Sequence, residues 1–388
     1  MQTREDIELL EEKILAPYAM KSKDSKGRDY PETAHATRTC YQRDRDRIVH
    51  SEAFRKLEYK TQVFTILEGD YYRTRLTHTI EVAQIARTIG RNLRLNEDLI
   101  EAIALAHDLG HPPFGHAGEE ALNAIMKNAG FGGFNHNKRS YDIVTKFEKR
   151  YPAFDGLNLT VEVRVGILKH QTVYDRPGKF NRKLNESPTL EAQVVDFADS
   201  LAYLNHDIDD GLTSGCITEK DLLENSLWQK ALERIKNSVR AEDREMLKYQ
   251  IVKELIDMQI KDLLAVTDAK LKKINFRSSK KVKVAKETIV GFSSEMAKSR
   301  NALQALLNEK LYRHYRIVRM TEKAKRIIGD LFKVYLNEPA QLDYTIYKRD
   351  RHYTKKEKYE IICNYIASMT DRFALAEHKK IFNPYEKV

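Results

Sequence analysis

The segment LAHDLGHPPFGHAGEEA, residues 105–121, holds three histidines and one aspartate together with glycines and prolines. Glycine and proline interrupt helices, so the backbone is expected to bend here. The titratable side chains are therefore concentrated where the chain turns. This arrangement predicts a helix that ends near Gly110, a second helix that begins near His116, and a functional site between them.

Helical patterns extend from this segment in both directions. Residues 96–110 begin with an asparagine that can cap a helix, continue with acidic residues in the first turn and end at Gly110. Ser187 and Pro188 are typical of a helix cap and the first helical position. Apolar residues recur at helical spacing in three further segments, 77–93, 308–336 and 355–381.

The fold class follows from this dominance of helical patterns. One segment is ambiguous, because residues 159–168, LTVEVRVGIL, alternate as in a strand, whereas Thr160 followed by Glu162 could also begin a helix. We predict an all-α fold that forms one domain over residues 1–388, with a small β excursion near 275–292.

The composition indicates a folded protein outside the membrane, with 41% hydrophobic and 32% charged residues. No stretch approaches the run of about 20 apolar residues that a membrane helix needs, and the N-terminus lacks the apolar core of a signal peptide. The three cysteines, Cys40, Cys216 and Cys363, are scattered, so neither a disulfide framework nor a cysteine-rich zinc site is indicated. We expect a cytoplasmic protein with no membrane partner.

The net charge of +10 is concentrated in residues 270–286, where eight basic residues meet no acidic one. Two interpretations stay open at this point. The run could be a solvated face or loop, or it could contact nucleic acid or a nucleotide phosphate.

Histidines are concentrated in one part of the chain, since seven of the twelve fall between residues 78 and 206. The adjacent pair His107 and Asp108 offers a nitrogen and an oxygen at a helix end, which suits Mn, Fe or Zn better than Ca or Mg alone. One pair cannot hold a metal ion, so further ligands must come from other helices. His78 and Asp199 are the candidates.

Two other patterns bear on the site. Asp199, Tyr203 and Asp207 recur every four residues, so they line one helix face, which is either a solvated face or part of a site. His116 and Glu119 are three residues apart on a helix and can touch. Such a pair is either structural or a general acid held by a carboxylate.

These residues resemble the HD-domain metal phosphohydrolases, and specifically the deoxynucleoside triphosphate triphosphohydrolases of the dGTPase-like branch. The resemblance is strongest over about 43–212, which the family implies to be an HD catalytic core. It is weaker from 213 to 388, which the family implies to be a C-terminal helical region. It is carried by RDRDRIVHSEAFRKLEYKTQVF (43–64), RTRLTHTIEVAQIAR (73–87), HDLGHPPFGHAGEEAL (107–122), FNHNKRS (134–140) and EAQVVDFADSLAYLNHDIDDGL (191–212). One departure is Lys56, where the family usually has arginine.

The resemblance implies a role for each matched position. The metal ligands would be His78, His107, Asp108 and Asp199. The catalytic group would be His116, with Glu119 supporting it and His136 as a second active-site histidine. The substrate contacts would be Gln62, Arg75, Tyr203 and Asp207, to which His111 adds either a hydrogen bond behind the ligands or a phosphate contact. Further phosphate contacts would come from a pool of five residues, Tyr312, Arg313, Tyr315, Arg316 and Arg319.

The implied activity is hydrolysis of a dNTP to deoxynucleoside and inorganic triphosphate. It would use one divalent metal ion, with Mn or Fe favoured over Zn or Mg. The family implies a homo-oligomer, tetramer or hexamer, a dNTP effector at a separate site and single-stranded nucleic acid as further partners. Two alternatives remain: another HD phosphohydrolase, acting on other nucleotides, cyclic nucleotides or an alarmone, and a non-catalytic protein that binds nucleotides or single-stranded DNA.

Overall fold

The computed structural model describes residues 1–62, 72–171, 187–236, 244–282 and 287–387. Within these ranges the chain forms seventeen α-helices and no strand longer than an isolated bridge. The helices are α1 (Arg4–Ile14), α2 (Cys40–Val49), α3 (Glu52–Lys56), α4 (Arg75–Asn92), α5 (Glu97–Ala106), α6 (Gly115–Asn128), α7 (His136–Asp142), α8 (Val161–Leu168), α9 (Leu190–Thr213), α10 (Glu219–Leu222), α11 (Ser226–Ile235), α12 (Arg244–Ile274), α13 (Ser279–Val282), α14 (Ser294–Lys310), α15 (Tyr315–Asn337), α16 (Lys355–Ala367) and α17 (Asp371–Phe382). A π-helical turn, Ile143–Phe147, follows α7.

Helix α5 lies at the centre of the site-bearing half. It packs against α2, α4, α8 and α9, and seven of its residues are buried, among them Leu99, Ile103 and Ala106. The acidic residues of α5 lie in its first half, and every residue from Ala102 to Ala106 is buried, so its C-terminal half belongs to the core. His107 and Asp108 follow directly after its last residue and therefore emerge inside the protein.

Helix α9 connects two apolar clusters. Its first half packs with α4 and α5, and its second half contributes Leu204 and Ile208 to a cluster with α11, α12 and α14. A third cluster joins α6 to α15, α16 and α17. The candidate site residues of α4, α6, α9 and the turn after α5 lie where these clusters adjoin.

Several predicted helices are confirmed, and others begin or end at residues different from those predicted. The ambiguous segment 159–168 is helical from Val161 onward and forms α8. The predicted cap at Ser187 is wrong: α9 begins at Leu190, and the hydroxyl oxygen of Thr189 accepts from the amide of Ala192 at 3.2 Å. Residues 308–336 and 355–381 are each broken once, between α14 and α15 and between α16 and α17.

The β excursion expected near 275–292 is absent from the described part of that segment. Residues 279–282 are helical, and the amides of Ile289 and Val290 donate to the side-chain oxygen of Gln193 instead of to a strand partner. In the basic run, the described charged residues are exposed, as a solvated face requires, while residues 283–286 lie outside the described ranges. None of the helices described here has the length and apolar character needed to cross a membrane.

The bend between α5 and α6 depends on close backbone approach. A Cβ atom on Gly110 would overlap the carbonyl oxygen of His136 and the amide nitrogen of Ser140, so only glycine allows α7 to lie against this turn. Phe114 and Gly115 then have φ values of 64° and 56°, in the left-handed region, and reverse the chain into α6. This geometry brings His107, His116 and His136 to one side of the molecule.

Candidate metal centre and active site

A chain of hydrogen bonds fixes which ring nitrogen of His78 faces the site. The Nε2 atom of His206 lies 2.6 Å from Oε2 of Glu81 and must donate to it, and Nδ1 of His206 lies 3.2 Å from Nδ1 of His78. Burial lowers the pKa of His206 to about 4, so its ring is neutral and its Nδ1 accepts. The proton of His78 is therefore on Nδ1, and its Nε2 carries a lone pair.

His107 presents a second lone pair to the same place. Its Nδ1 lies 2.6 Å from the carbonyl oxygen of Ala104 and donates to it, which leaves Nε2 as an acceptor. That Nε2 is buried and has no hydrogen-bond partner among the described residues. An unpaired buried acceptor is unfavourable unless a cation or donor occupies the space beside it.

Asp199 completes a cluster of three acceptors. Its Oδ1 lies 2.9 Å from Nε2 of His78, and one ligand atom each from His78, His107 and Asp199 lies within 4.8 Å of the others. Two acceptors at this separation repel unless a proton or metal ion lies between them. The donor set, two imidazole nitrogens and a carboxylate oxygen, fits a divalent transition metal.

Asp108 lies beside this cluster and forms an ion pair with the guanidinium of Arg75. Its Oδ1 is 3.4 Å from Nε2 of His107 and 3.0 Å from Nδ1 of His111, and its Oδ2 accepts from Nη1 of Arg75 at 2.7 Å. Burial favours the protonated form, but the neighbouring imidazoles of His107 and His111 and the Arg75 guanidinium hold the pKa of Asp108 well below its usual value. Asp108 is therefore a carboxylate.

A second group of imidazoles lies next to Asp108. The rings of His111 and His136 stack with centroids 3.8 Å apart. Oε2 of Glu119 lies 2.9 Å from Nδ1 of His136 and 3.6 Å from Nδ1 of His116. Burial favours the protonated form of Glu119, yet the neighbouring imidazoles His136 and His116 hold its pKa well below the usual value. One carboxylate thus orients two histidines.

The ring of His111 is neutral. Burial, with the positive charge of Arg75, lowers its pKa to about 3. His111 is 1% exposed, whereas the side chain of His116 is 32% exposed. Of these three histidines, His116 is therefore the one best placed to meet a ligand from solvent.

His116 opens into a cavity of about 560 Å³. Glu119, His136, Gln62 and Tyr203 also line it, together with Phe114, Phe134, Tyr312, Ile317 and others of α6 and α15. The ring of Tyr203 lies between the two groups, with its centroid 6.2 Å from that of His78 and 6.3 Å from that of His116. The cavity is of the size that proteins use to enclose small-molecule ligands, roughly 300–1,000 Å³.

Comparison with known proteins shows the family to which the chain is similar. The HD domain matches residues 75–204, and the phosphohydrolase-associated domain matches residues 290–380. A deoxyguanosinetriphosphate triphosphohydrolase-like protein of Geobacter sulfurreducens is 48% identical over 390 residues, which cover 100% of both chains. Proteins of the same description from Ralstonia pickettii and Caulobacter vibrioides are 47% and 42% identical over 95% of this chain, covering 94% and 96% of their own lengths.

The chain belongs to this family. It is an HD-domain phosphohydrolase of the deoxyguanosinetriphosphate triphosphohydrolase-like group.

Most residues that sequence reasoning singled out in this phosphohydrolase lie together. Arg75 contacts Asp108 and does not line the cavity. The Tyr312 hydroxyl donates to the carboxyl group of buried Asp207, whose pKa is raised well above its usual value by burial and by Asp210. Of the five residues in the candidate phosphate-contact pool, Tyr312 alone lines this cavity.

Four residues near the candidate metal ligands were not assigned a role from sequence: Glu81, His170, Asp196 and His206. His170 bridges Asp199, at 3.1 Å, and Asp196, at 2.6 Å. Burial opposes its charge, but these two carboxylates raise the pKa of His170 well above its usual value, so it is an imidazolium. The available signals were the histidine concentration and the spacing of Glu81 and Asp196, each three residues from a ligand.

Proposed function

We propose that this phosphohydrolase splits a dNTP with water into a deoxynucleoside and inorganic triphosphate. The observation that carries the proposal is the meeting of three buried acceptor atoms, from His78, His107 and Asp199, beside a cavity lined by His116 and Tyr203. The names of the full-length relatives support the same substrate class.

The metal site would be formed by His78, His107, Asp199 and the adjacent Asp108. A divalent ion there, with Mn or Fe favoured, would polarise a phosphate oxygen and neutralise charge. Arg75 holds Asp108 through Nη1, while its Nε and Nη2 have no hydrogen-bond partner among the described residues. The guanidinium therefore keeps donors for a phosphate group.

The chemical step would break one bond and form another at the α-phosphorus. The oxygen of water bonds to phosphorus as the water releases one proton, which would restore the proton that His116 loses, and the bond between phosphorus and the 5′-oxygen breaks. His116 would give its proton to the departing 5′-oxygen, with Glu119 orienting the imidazole and His136 beside it. A nucleophilic role for His116 is the alternative for this residue. His111, neutral and packed on His136, would keep that ring in place.

Selection of the deoxy sugar would depend on Gln62, Tyr203 and Asp207. Tyr203 faces the cavity between His78 and His116, so its ring would lie beneath the sugar and crowd a 2′-hydroxyl. We expect GTP to be a poor substrate relative to dGTP, and a Tyr203→Ala variant to narrow this difference. Equal turnover of GTP and dGTP by the unmodified protein would contradict this assignment.

The proposal is tested by incubating the protein with each dNTP, singly and mixed, in the presence of Mn²⁺. Nucleoside, nucleotide, triphosphate and pyrophosphate are then resolved by chromatography. Nucleoside and triphosphate in equal amounts are expected. Pyrophosphate release would favour another HD phosphohydrolase, and tight single-stranded DNA binding without any product would favour a non-catalytic protein.

We also propose a single domain over residues 1–388, a cytoplasmic location, assembly into a homo-oligomer, and dNTP effectors and single-stranded nucleic acid as further partners. These rest on the family resemblance. Sedimentation analysis with and without dNTPs tests the assembly and the effector together.

A further inference from the structure

A second cavity, of about 320 Å³, lies apart from the one that His116 lines. It is formed by α3, the end of α7, the π-helical turn and the end of α16. Six basic side chains and two acidic ones line it: Arg55, Lys56, Lys60, Arg139, Lys149 and Arg150, with Glu52 and Glu148. No residue lines both cavities.

Two of the six basic side chains are buried and form no ion pair with a described residue. Lys60 is 3% exposed, and its Nζ donates to the carbonyl oxygen of His111. Arg139 is 6% exposed and donates to the side-chain and backbone oxygens of Asn364 at 2.5 Å and 2.9 Å. Among the described residues neither forms an ion pair, and Nε of Arg139 has no hydrogen-bond partner.

Burial of a cation that forms no ion pair is unfavourable, and this lowers the pKa of both side chains. Burial, with the nearby charge of Arg139, lowers the pKa of Lys60 to about 7 although the Asp371 carboxylate opposes this shift, and burial lowers the pKa of Arg139 to about 10. A buried charge is normally accompanied by a counter-charge or a ligand. An anion in the cavity would supply that counter-charge.

The rim of the cavity strengthens the positive field. Arg55 and Arg150 both donate to the carbonyl oxygen of His50, so their charges are not neutralised by that contact. Lys56 pairs with Glu52 at 2.7 Å, and Lys149 pairs with Asp155. Guanidinium groups are the preferred partners of phosphate oxygens, because their planar donors match that geometry.

We propose that this cavity binds an inorganic polyphosphate anion, such as triphosphate or pyrophosphate, with Lys60 and Arg139 at its base and Arg55 and Arg150 at its rim. The lining favours an inorganic anion over a whole nucleotide. Phe147 is the one aromatic residue that lines it, and Arg139 already covers its ring at 5.6 Å. No second aromatic surface in the lining is available for a base.

The position of the cavity connects it to the active site through two elements. Lys60 holds the carbonyl of His111 in the bend, and Arg139 belongs to α7, whose first residue is His136. An anion bound between Lys60 and Arg139 therefore contacts both segments that carry the stacked histidines. The binding claim itself is independent of the proposed function.

The test is calorimetric titration of the full-length protein with inorganic triphosphate in a phosphate-free buffer. A His78→Ala variant, which disables the metal cluster, should still bind one equivalent. Adding Lys60→Met to that variant should weaken the binding about tenfold or more, as expected for loss of a charge-assisted contact. Lys146→Met is the matched control, because Lys146 is exposed on the same π-helical turn and does not line the cavity.

A double rim variant, Arg55→Ser with Arg150→Ser, guards against misfolding of the Lys60 variant, since both side chains are exposed. Thermal unfolding verifies that each variant is folded. Unchanged triphosphate binding in both the Lys60→Met variant and the double rim variant would overturn the proposal. So would tighter binding of dGTP or of a single-stranded oligonucleotide than of triphosphate in the His78→Ala background. A protein that fails to hydrolyse any dNTP but binds triphosphate in this way would refute the proposed function alone.

Discussion

At the scale of single residues, the lone pair on Nε2 of His78 depends on Glu81, a residue that touches no ligand of the cluster. Glu81 accepts from His206, and His206 in turn accepts from Nδ1 of His78. Partners of this kind orient metal-binding histidines, and their loss typically weakens metal affinity by about 10–100-fold. Glu81 is therefore a positioning residue.

We predict that Glu81→Ala lowers Mn²⁺ affinity within that range, and that Glu81→Gln, whose amide oxygen can still accept from His206, keeps most of it. Bound metal is measured after dialysis against buffers of fixed free Mn²⁺. Gln84→Ala is the control, since Gln84 lies on the exposed side of the same helix. Wild-type affinity in Glu81→Ala would show that His78 needs no such partner.

Removal of the His116 imidazole is expected to impair the chemical step without impairing metal binding. It lies outside the three-atom cluster, so His116→Ala should keep the metal content while turnover falls by about 10²–10⁴-fold, the usual contribution of a general acid. Elemental analysis and the triphosphate assay on the same sample test both halves. His352→Ala, at an exposed histidine, should change neither value. Parallel loss of metal and activity would contradict the assignment.

Lys60 makes a prediction about pH. Its folded-state pKa is about 7 and its ordinary value is 10.5, so the unfolded chain binds this proton more tightly. The buried charge of Lys60 lowers the free energy of unfolding by its full amount below about pH 7, and this effect disappears as the pH rises towards 10.5. Lys60→Met, which keeps most of the aliphatic chain but removes the charge, should therefore raise the unfolding temperature most at acidic pH.

The measurement is thermal unfolding in phosphate-free buffer at several pH values between about 6 and 10. The stabilisation by Lys60→Met should shrink steadily across this range. A variant that is less stable than the unmodified protein at every pH would mean that the bond from Lys60 to the His111 carbonyl outweighs the burial of the charge.

At the scale of helices, the site depends on how closely α7 approaches the turn after α5. Gly110→Ala should lower the free energy of unfolding by about 1–3 kcal/mol, the typical effect of overpacking, because the added Cβ meets backbone atoms of α7 that cannot move independently. Gly329→Ala is the matched control. Nothing lies within 4 Å of its added Cβ in α15, and helix propensity favours alanine by about 0.5–1 kcal/mol.

Chemical denaturation of the two variants gives the comparison. Activity of Gly110→Ala should fall together with stability, since displacement of α7 moves His136. A Gly110→Ala variant as stable and as active as Gly329→Ala would show that the turn tolerates a side chain and that the glycine has another role.

The helices themselves were largely predictable from sequence, and their ends less so. Asn96 caps α5 as expected, because its side chain accepts from the amide of Leu99. No glycine or proline lies at the break between α14 and α15, so the sequence does not predict it. Leu311, fully buried there, belongs to the cluster of α11 and α12, so packing between distant segments ends the helix.

At the scale of the whole molecule, the metal cluster joins side chains from α4, α9 and the turn after α5. Motif spacing and resemblance identified the ligand candidates, because each lies in a recognisable local pattern. The contact between His170 and Asp199 could not be read in this way, since nothing local links residues 29 apart. The basic cavity was missed for the same reason, as Lys60 and Arg139 come together only in the folded chain.

The proposed reaction is defined by which bond of the dNTP is cleaved, and hydrolysis in H₂¹⁸O identifies that bond directly. The protein is incubated with dGTP and Mn²⁺ in labelled water, and both products are examined by mass spectrometry. Attack at the α-phosphorus predicts one ¹⁸O atom in the triphosphate and none in the deoxyguanosine. Label in the deoxyguanosine, or formation of dGMP with pyrophosphate, would contradict the proposed reaction.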